Sequence, residues 1–502
     1  MSLNSSPKFN STAFKSNAKE ALKSEGLKLA LDRTTGLLKK RRAQAIADFP
    51  DYEATRALAA KIKDHTLEHW GYYLEQFERN ALANGAQVYW AKDAKEANSI
   101  ITKLCLEAEA KKVTRVKSML GEEIGLPAAL EQAGIESIET DLAEHIIQLA
   151  NEPPSHIVMP AMHKTREQVA ALFKQKHPQN KNKALDDSSI EALVKSARVA
   201  LRQEFAQADV GISGANMLVA QTGSVITVTN EGNAELCCEV PPVHIVAAGI
   251  EKVVPDLDSA QVLLRLLARA AIGTPTTQYT SFYTGSARQD ERAHDPKRAA
   301  QTMHIVLVDN ARSKLYASPY RAMLRCIRCG ACMNHCPVYA QIGGHPYGAT
   351  YPGPMGAILT PIMQELGRAK DLPQACTLNG RCQDVCPVKI PLKELMRDLR
   401  DDLHQQGYTP KAMALGLKLW SYLARFARLY QSMTSLGQAL LAFVSSTSGA
   451  QQAMIKRIPL MGAWFNSRHM LRPSRNSFMD QYKQSQQKST KSQNSQSNKD
   501  KA

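Results

Sequence analysis

The 502-residue chain lacks an apolar run long enough to cross a bilayer. Its longest uncharged stretch, 429–455, is rich in Ser, Gln and Thr, too polar for a span that needs about 20 mostly apolar residues. The first twenty residues have no apolar h-region, so no secretory leader is expected there. They are Ser-rich without an acid before Glu20, but the first Arg is Arg33, a poor match to a transit peptide. Cysteine is scarce: ten residues are far too few for a disulfide scaffold in a chain this long. There is no Gly-Lys-Ser/Thr phosphate loop and no nucleophile elbow, and Gly211-x-x-Gly214 is too short for a dinucleotide fingerprint.

The composition, 44% apolar and 22% charged, is that of an ordinary globular protein. At roughly 150 residues per domain the length suggests about three domains. The formal charge is +16, which raises the question of an anionic partner. Residues 456–502 carry ten Lys/Arg against two Asp, so half of the excess sits in that tail. The remainder is only mildly basic, and no nucleic-acid partner is expected; steeply salt-dependent binding would be the mark of one.

Residues 15–70 read as charged helix. From about 72 to 312, helical stretches such as GLPAALEQAG alternate with short apolar runs such as HIVMPA and VITVT, the pattern of an α/β domain. SVITVT and AELCCEV flank Asn230-Glu231-Gly232-Asn233, which predicts a hairpin that places Cys237 and Cys238 in a strand. The run 303–309 predicts a buried strand. Residues 343–356 hold five Gly and three Pro, which predicts a loop. A basic, aromatic stretch carrying Trp420, Tyr422, Phe426 and Tyr430 reads as a packed helix or as a surface for anionic lipid or a partner subunit. The polar tail from 484 is expected to be disordered.

Seven of the ten cysteines fall between 326 and 386. In a chain without a leader such clustering reads as metal ligation. Cys326-x2-Cys329-x2-Cys332-x3-Cys336-Pro337 is the bacterial ferredoxin run, in which the fourth cysteine serves the other of two clusters. The second motif is Cys376-x5-Cys382-x3-Cys386-Pro387, with Asn379 where a fourth cysteine would stand. A crossed scheme gives Cys326, Cys329, Cys332 and Cys386 to a [4Fe–4S] cluster. It leaves Cys336, Cys376 and Cys382 for a second cluster, [3Fe–4S] or [4Fe–4S], with Cys237 or Cys238 as candidates for a missing ligand. If the first motif is helical, the Cα atoms of Cys332 and Cys336 are about 6 Å apart along the axis, so the clusters would be neighbours. Arg325, Arg328, Arg381 and Lys389 flank the ligands, and nearby cations favour a reduced cluster.

Other patterns are weaker. His65-x-x-Glu68-His69 matches an inverzincin pattern but reads better as a solvated helix face. Thr222-Gly223-Ser224 and Glu231-Gly232-Asn233 read as turn chemistry or as pocket lining, with Glu231 as the candidate base of an enzyme reading.

Long stretches resemble one family, the iron–sulfur subunit of the bacterial L-lactate utilisation system. They include GEEIGLPAALEQAGIESIETDLAEHIIQLANEPPSHIVMPAMHKTREQV, TGSVITVTNEGNAELCCEVPPVHIV, CIRCGACMNHCPVY, GGHPYGATYPGPMGAILTP and NGRCQDVCPVKIPL, with WFNSRHMLRPSRNSFMDQY in the tail. The resemblance implies an α/β domain of the CoA-transferase/sugar-phosphate-isomerase kind, an α-helical ferredoxin-type domain and a helical C-terminal region. It divides the chain into an N-terminal helical segment (1–70), a LUD-type domain (71–312), a two-cluster domain (313–408), a helical C-terminal domain (409–483) and a tail (484–502). It implies an electron-transfer subunit of a complex that oxidises L-lactate to pyruvate and passes electrons to a quinone or other acceptor. The partners implied are a cysteine-rich subunit and a smaller LUD-domain protein. The location implied is cytoplasmic, with peripheral contact at the inner face of the membrane. Family members often carry cysteine where this chain has Asn379.

Overall fold

The computed structural model describes residues 10–177, 189–286, 301–446, 454–455, 470–471 and 477–487. The chain divides into Met1–Tyr408 and Thr409–Ala502.

Among its described residues the first unit holds ten strands: β1 (Gln87–Ala91), β2 (Lys112–Arg115), β3 (Glu136–Glu139), β4 (Val210–Ser213), β5 (Met217–Val219), β6 (Ser224–Thr229), β7 (Val243–Gly249), β8 (Val253–Val254), β9 (Tyr279–Tyr283) and β10 (Thr302–Val308). Six form a parallel sheet in the order β1-β10-β7-β4-β2-β3. Its central strands are near-continuous apolar runs, and Ile245 to Ala248 of β7 are at most 1% exposed. Such runs are what a parallel sheet needs when helices cover both faces. The run expected at 303–309 is β10, buried between β1 and β7. Aspartates set the helix starts: Asp93 accepts from Glu96 N, and Asp141 accepts from Ala143 N and Glu144 N. A second, four-stranded sheet runs β8-β5-β6-β9.

Two local expectations are corrected. Asn233–Glu239 is a helix, not the second arm of a hairpin. Gly232 at φ +69° turns the chain into it, and β6 pairs instead with β5 and β9. An apolar run after a turn signal fits a short helix as well as a strand, and burial decides between them. The helix seats Ala234, Cys237 and Cys238 in the core. It lies so close on β4 that a Cβ at Gly211 would fall 1.8 Å from the Cys237 carbonyl oxygen. Residues 343–356 are also not all loop, because a helix, Gly353–Met363, begins among them. Pro354 sits in its first turn, where the missing N–H costs nothing. The tail beyond 487 lies outside the described residues, and 484–487 continue a helix.

One hydrophobic core joins segments far apart in sequence. Leu31 and Leu67 of the N-terminal helices and Phe49 between them share this core with Val225 and Ile226 of β6, and with Met333, Tyr339 and Leu395 of the cysteine-rich segment. In the second unit, helices Lys411–Ala424 and Ala427–Ser446 are described, with no buried residue in the first. Trp420, Tyr422 and Phe426 are at least half exposed, so among the described residues that stretch is not packed into a core. Among the described residues no helix is long and apolar enough to cross a membrane.

Gly211→Ala is expected to lower stability by about 1–3 kcal/mol or more through overpacking, measured by urea unfolding. Burial holds His156 and His244 down to about 3 and His145 down to about 4. A depressed native pKa means stability that is complete above the unfolded value of about 6.5 and is lost as pH falls. Each such histidine should remove about 1.4 kcal/mol per pH unit below that value, so unfolding midpoints in urea should fall steeply from pH 6 to pH 5.

Candidate metal centre

The two cysteine motifs fold as near copies. In the first, Arg328 and Gly330 are left-handed (φ +58° and +74°) and lead into the helix Ala331–Asn334. In the second, Leu378 and Gly380 are left-handed (φ +55° and +79°) and lead into Arg381–Asp384. Each path wraps a loop around its sulfurs and then aims a helix start at them. Asn379 stands where Cys329 stands in the first copy. It is exposed, and its Oδ1 accepts from Arg381 N at 3.1 Å.

The fold brings the seven thiols into two adjoining groups. Burial pushes Cys329 up to about 12, with Cys386 and Cys326 adding to the effect. Cys332 is raised by burial and by Cys329, Cys326, Cys382 and Cys386, and Cys386 goes up to about 11, with Cys326 beside it. Cys382 is pushed up to about 12 by burial, then by Cys376 and Cys336. The groups are therefore Cys326, Cys329, Cys332 and Cys386 on one side and Cys336, Cys376 and Cys382 on the other. Cys332 faces sulfurs of both. Thiols that resist ionisation through burial and crowding suit a soft cationic assembly that neutralises them together.

Among the described residues no three cysteine sulfurs lie within 4.8 Å of one another. Backbone amides reach three of the sulfurs. Tyr339 N donates to Cys336 Sγ at 3.4 Å, Leu378 N to Cys376 Sγ at 3.3 Å and Ile390 N to Cys386 Sγ at 3.4 Å. Such N–H···S bonds stabilise charge on sulfur and tune an iron–sulfur potential.

The flanking cations divide. Arg328, its side chain 12% exposed, lies 3.6 Å from Glu251 and over the Tyr351 ring at 4.5 Å. Arg325 forks onto Asp64 at 2.6 and 2.7 Å. Arg381 and Lys389 are exposed, 4.0 Å from Asp384 and 3.8 Å from Glu53. Sequence reasoning missed Arg42 and Arg56. Arg42 Nη2 donates to Val385 O at 3.0 Å, and Arg56 donates to Cys386 O at 2.7 and 3.0 Å and to Asp384 O at 2.8 Å. Both lie on helical stretches crowded with charge, and nothing local marks them as buried.

Cys237 and Cys238 do not join the seven. They pack with Val116 and Ala234, and the Cys237 thiol donates to Thr114 O at 3.2 Å. Glu231 Oε2 accepts from Leu142 N at 3.0 Å, which caps a helix, and Asn84 Nδ2 donates to Thr222 O at 2.8 Å. His65, Glu68 and His69 do come within 4.8 Å of one another, all three exposed.

Comparison with known proteins matches this anatomy. The LUD domain family matches residues 74–308, and the 4Fe–4S dicluster domain family matches 322–390, a range that contains all seven cysteines. "Lactate utilization protein B" of Shouchella clausii is 39% identical over 477 residues, covering 95% of this chain and 98% of that protein. The chain belongs to the lactate utilization protein B family. The namesake of Macrococcus caseolyticus is 39% identical over 93% of this chain and 96% of its own length, and that of Bacillus cereus is 40% identical over 88% and 90%. A crystal structure of a duf162 family protein from Deinococcus radiodurans, 12% identical, covers 48% of this chain and 98% of its own with a TM-score of 0.25, too low to bear on the fold. The chain is thus an iron–sulfur protein of that family, with a LUD domain built on a parallel sheet.

Cys332→Ala is expected to remove roughly half or more of the bound iron, while Cys237→Ala leaves iron and sulfide content unchanged. Colorimetric iron and sulfide counts on anaerobically purified protein check both.

Proposed function

We propose that this chain is the electron-transfer subunit of a complex that oxidises L-lactate to pyruvate. The observation that carries this is the pair of adjoining thiol groups, with Cys332 facing both. In this reading Cys326, Cys329, Cys332 and Cys386 hold one [4Fe–4S] cluster. Cys336, Cys376 and Cys382 hold the second, [4Fe–4S] or [3Fe–4S], since Asn379 is turned to a backbone amide. Bound clusters supply reversible one-electron transfer; the protein supplies position, burial and potential. Arg42 and Arg56 hold the Cys386 loop by its carbonyl oxygens, and the amides of Tyr339, Leu378 and Ile390 face sulfur. The name of the relatives, lactate utilization protein B, supports lactate as the substrate class.

The reading extends to partners and place. A cysteine-rich subunit and a smaller LUD-domain protein complete the complex, and a quinone or other carrier accepts the electrons. The unburied helix Lys411–Ala424, with exposed Leu415, Leu419 and Trp420, supports contact with a partner or with the inner face of the membrane. A kinship of the α/β domain with the CoA-transferase/sugar-phosphate-isomerase class, and the domain boundaries at 70, 312, 408 and 483, belong to the same reading.

Low-temperature EPR before and after dithionite tests it. The expected outcome is reducible iron–sulfur signals, with lactate oxidation only when the partner subunits are added. A g ≈ 2.01 signal in the oxidised protein would identify a three-iron second cluster. Zinc in place of iron would overturn the proposal.

A further inference from the structure

The thiol groups leave one sequence pattern without a role, His65-x-x-Glu68-His69. The helix Tyr52–Glu68 ends inside it. Positions three and four apart share a helix face, so the last turn brings Glu68 and His69 beside His65. His69 (φ −111°, ψ 32°) is the elbow at which the chain turns into the helix Trp70–Ala83. Its backbone N–H still donates to His65 O at 3.1 Å, which closes the turn and keeps the two imidazoles together.

The three side chains stand as a chelate. One nitrogen from each ring and one carboxylate oxygen of Glu68 lie within 4.8 Å of one another. The ring centres of His65 and His69 are 4.7 Å apart, with the planes inclined at 62°. Two imidazoles bound at 2.0–2.1 Å to one ion, roughly 90–110° apart, put their ring centres about 4.5–5.2 Å apart. The pair already has that separation. The donors are also free: among the described residues the His69 ring nitrogens and the Glu68 carboxylate form no hydrogen bond and no ion pair. The Tyr73 hydroxyl, on the second helix, meets His65 Nε2 at 2.9 Å and steadies that ring. Contacts of this kind orient ligating histidines. All three side chains are exposed, so they can close on an ion by rotation without moving the core. The carboxyl end of a helix favours a cation as well.

We propose that His65, Glu68 and His69 bind a zinc-class divalent cation that clips the elbow between the two helices. Two imidazoles and one carboxylate select a borderline transition ion over calcium or magnesium, which take oxygen ligands. Three protein ligands leave the rest of the coordination to water. An exposed triad is assigned no hydrolytic step, although its spacing matches a peptidase motif. What flanks the elbow gives the clip its effect. One residue before the site, Asp64 forks onto Arg325, the neighbour of Cys326, at 2.6 and 2.7 Å. Lys63 donates to Glu251 O at 2.7 Å, and Trp70 Nε1, one residue after the site, donates to Ile250 O at 3.1 Å. An ion at the elbow therefore braces the helix whose Arg56 holds the Cys386 carbonyl. The inference concerns an ion additional to the iron and does not rest on the electron-transfer reading.

Isothermal titration of the full-length, anaerobically purified protein with Zn²⁺ and with Mg²⁺ tests this, with iron and zinc counted on the same samples before and after. One saturable zinc per chain is expected with no iron released, and no saturable binding of magnesium. Affinity for zinc should fall by about tenfold or more in His65→Gln and in His69→Gln, and should fall in Glu68→Gln, with iron content unchanged in all three. His69→Gln removes no hydrogen bond, so it separates loss of a ligand from loss of structure. Zinc should raise the thermal unfolding midpoint of the unaltered protein and leave that of His69→Gln where it is. Absence of saturable zinc binding would overturn the proposal, as would affinity unchanged in any of the three variants. Zinc taken up only as iron is lost would place it on the cysteines and overturn it too.

Discussion

The thiol groups depend on a set of hydrogen bonds from arginine to backbone. Cys386 can serve the same group as Cys326 only if its loop is brought back across the fold. Arg42 and Arg56, on the helices Glu25–Ala47 and Tyr52–Glu68, grip the carbonyl oxygens of Asp384, Val385 and Cys386. The three carbonyls point at donors more than three hundred residues away in sequence. Charge-assisted bonds of this kind are roughly twice as strong as neutral ones, and these are buried, where breaking one leaves a polar group unsatisfied. The N-terminal helices thus act as a clamp on the metal centre.

A second buried network ties that centre to the α/β domain. Glu251, just beyond β7, is paired with Arg312 and Arg328, while Arg312 also forks onto Glu123, and the Tyr351 hydroxyl donates to Glu123. Arg312 and Arg328 hold the Glu251 carboxyl down to about 2 against the burial that would raise it. Buried ion pairs of this sort are weak evidence for stability, because desolvation offsets most of their attraction. Their geometric effect is clear: one carboxylate fixes both the end of a central strand and the residue between two cysteines. The end of β7 and the cysteine loop are therefore joined through one carboxylate.

Legibility in the sequence varied with how local the determining physics is. The α/β alternation and the buried strand β10 were readable, since apolar periodicity is written in neighbouring residues. The seven-cysteine set was readable too, because it is written in the spacing within each motif, and the 4Fe–4S dicluster domain family matches the range that holds it. The segment Asn233–Glu239 was misread because its turn signal suits either outcome. Only Gly211, more than twenty positions earlier, makes room for a helix there. Arg42 and Arg56 were invisible because a charged residue on a helix looks the same whether it faces water or a buried carbonyl.

Residue type and spacing alone mark an iron–sulfur protein: seven cysteines, two Cys-Pro ends and the asparagine that breaks the second motif. Those are properties of residue type and spacing, and folding does not alter them. Packing decides that Cys237 and Cys238 sit in a helix beside Val116, that Glu231 caps a helix through Leu142 N, and that Lys252 and Arg328 line one cavity. Each of these depends on which distant backbone approaches a side chain, and proximity across the chain is set by packing of the whole core.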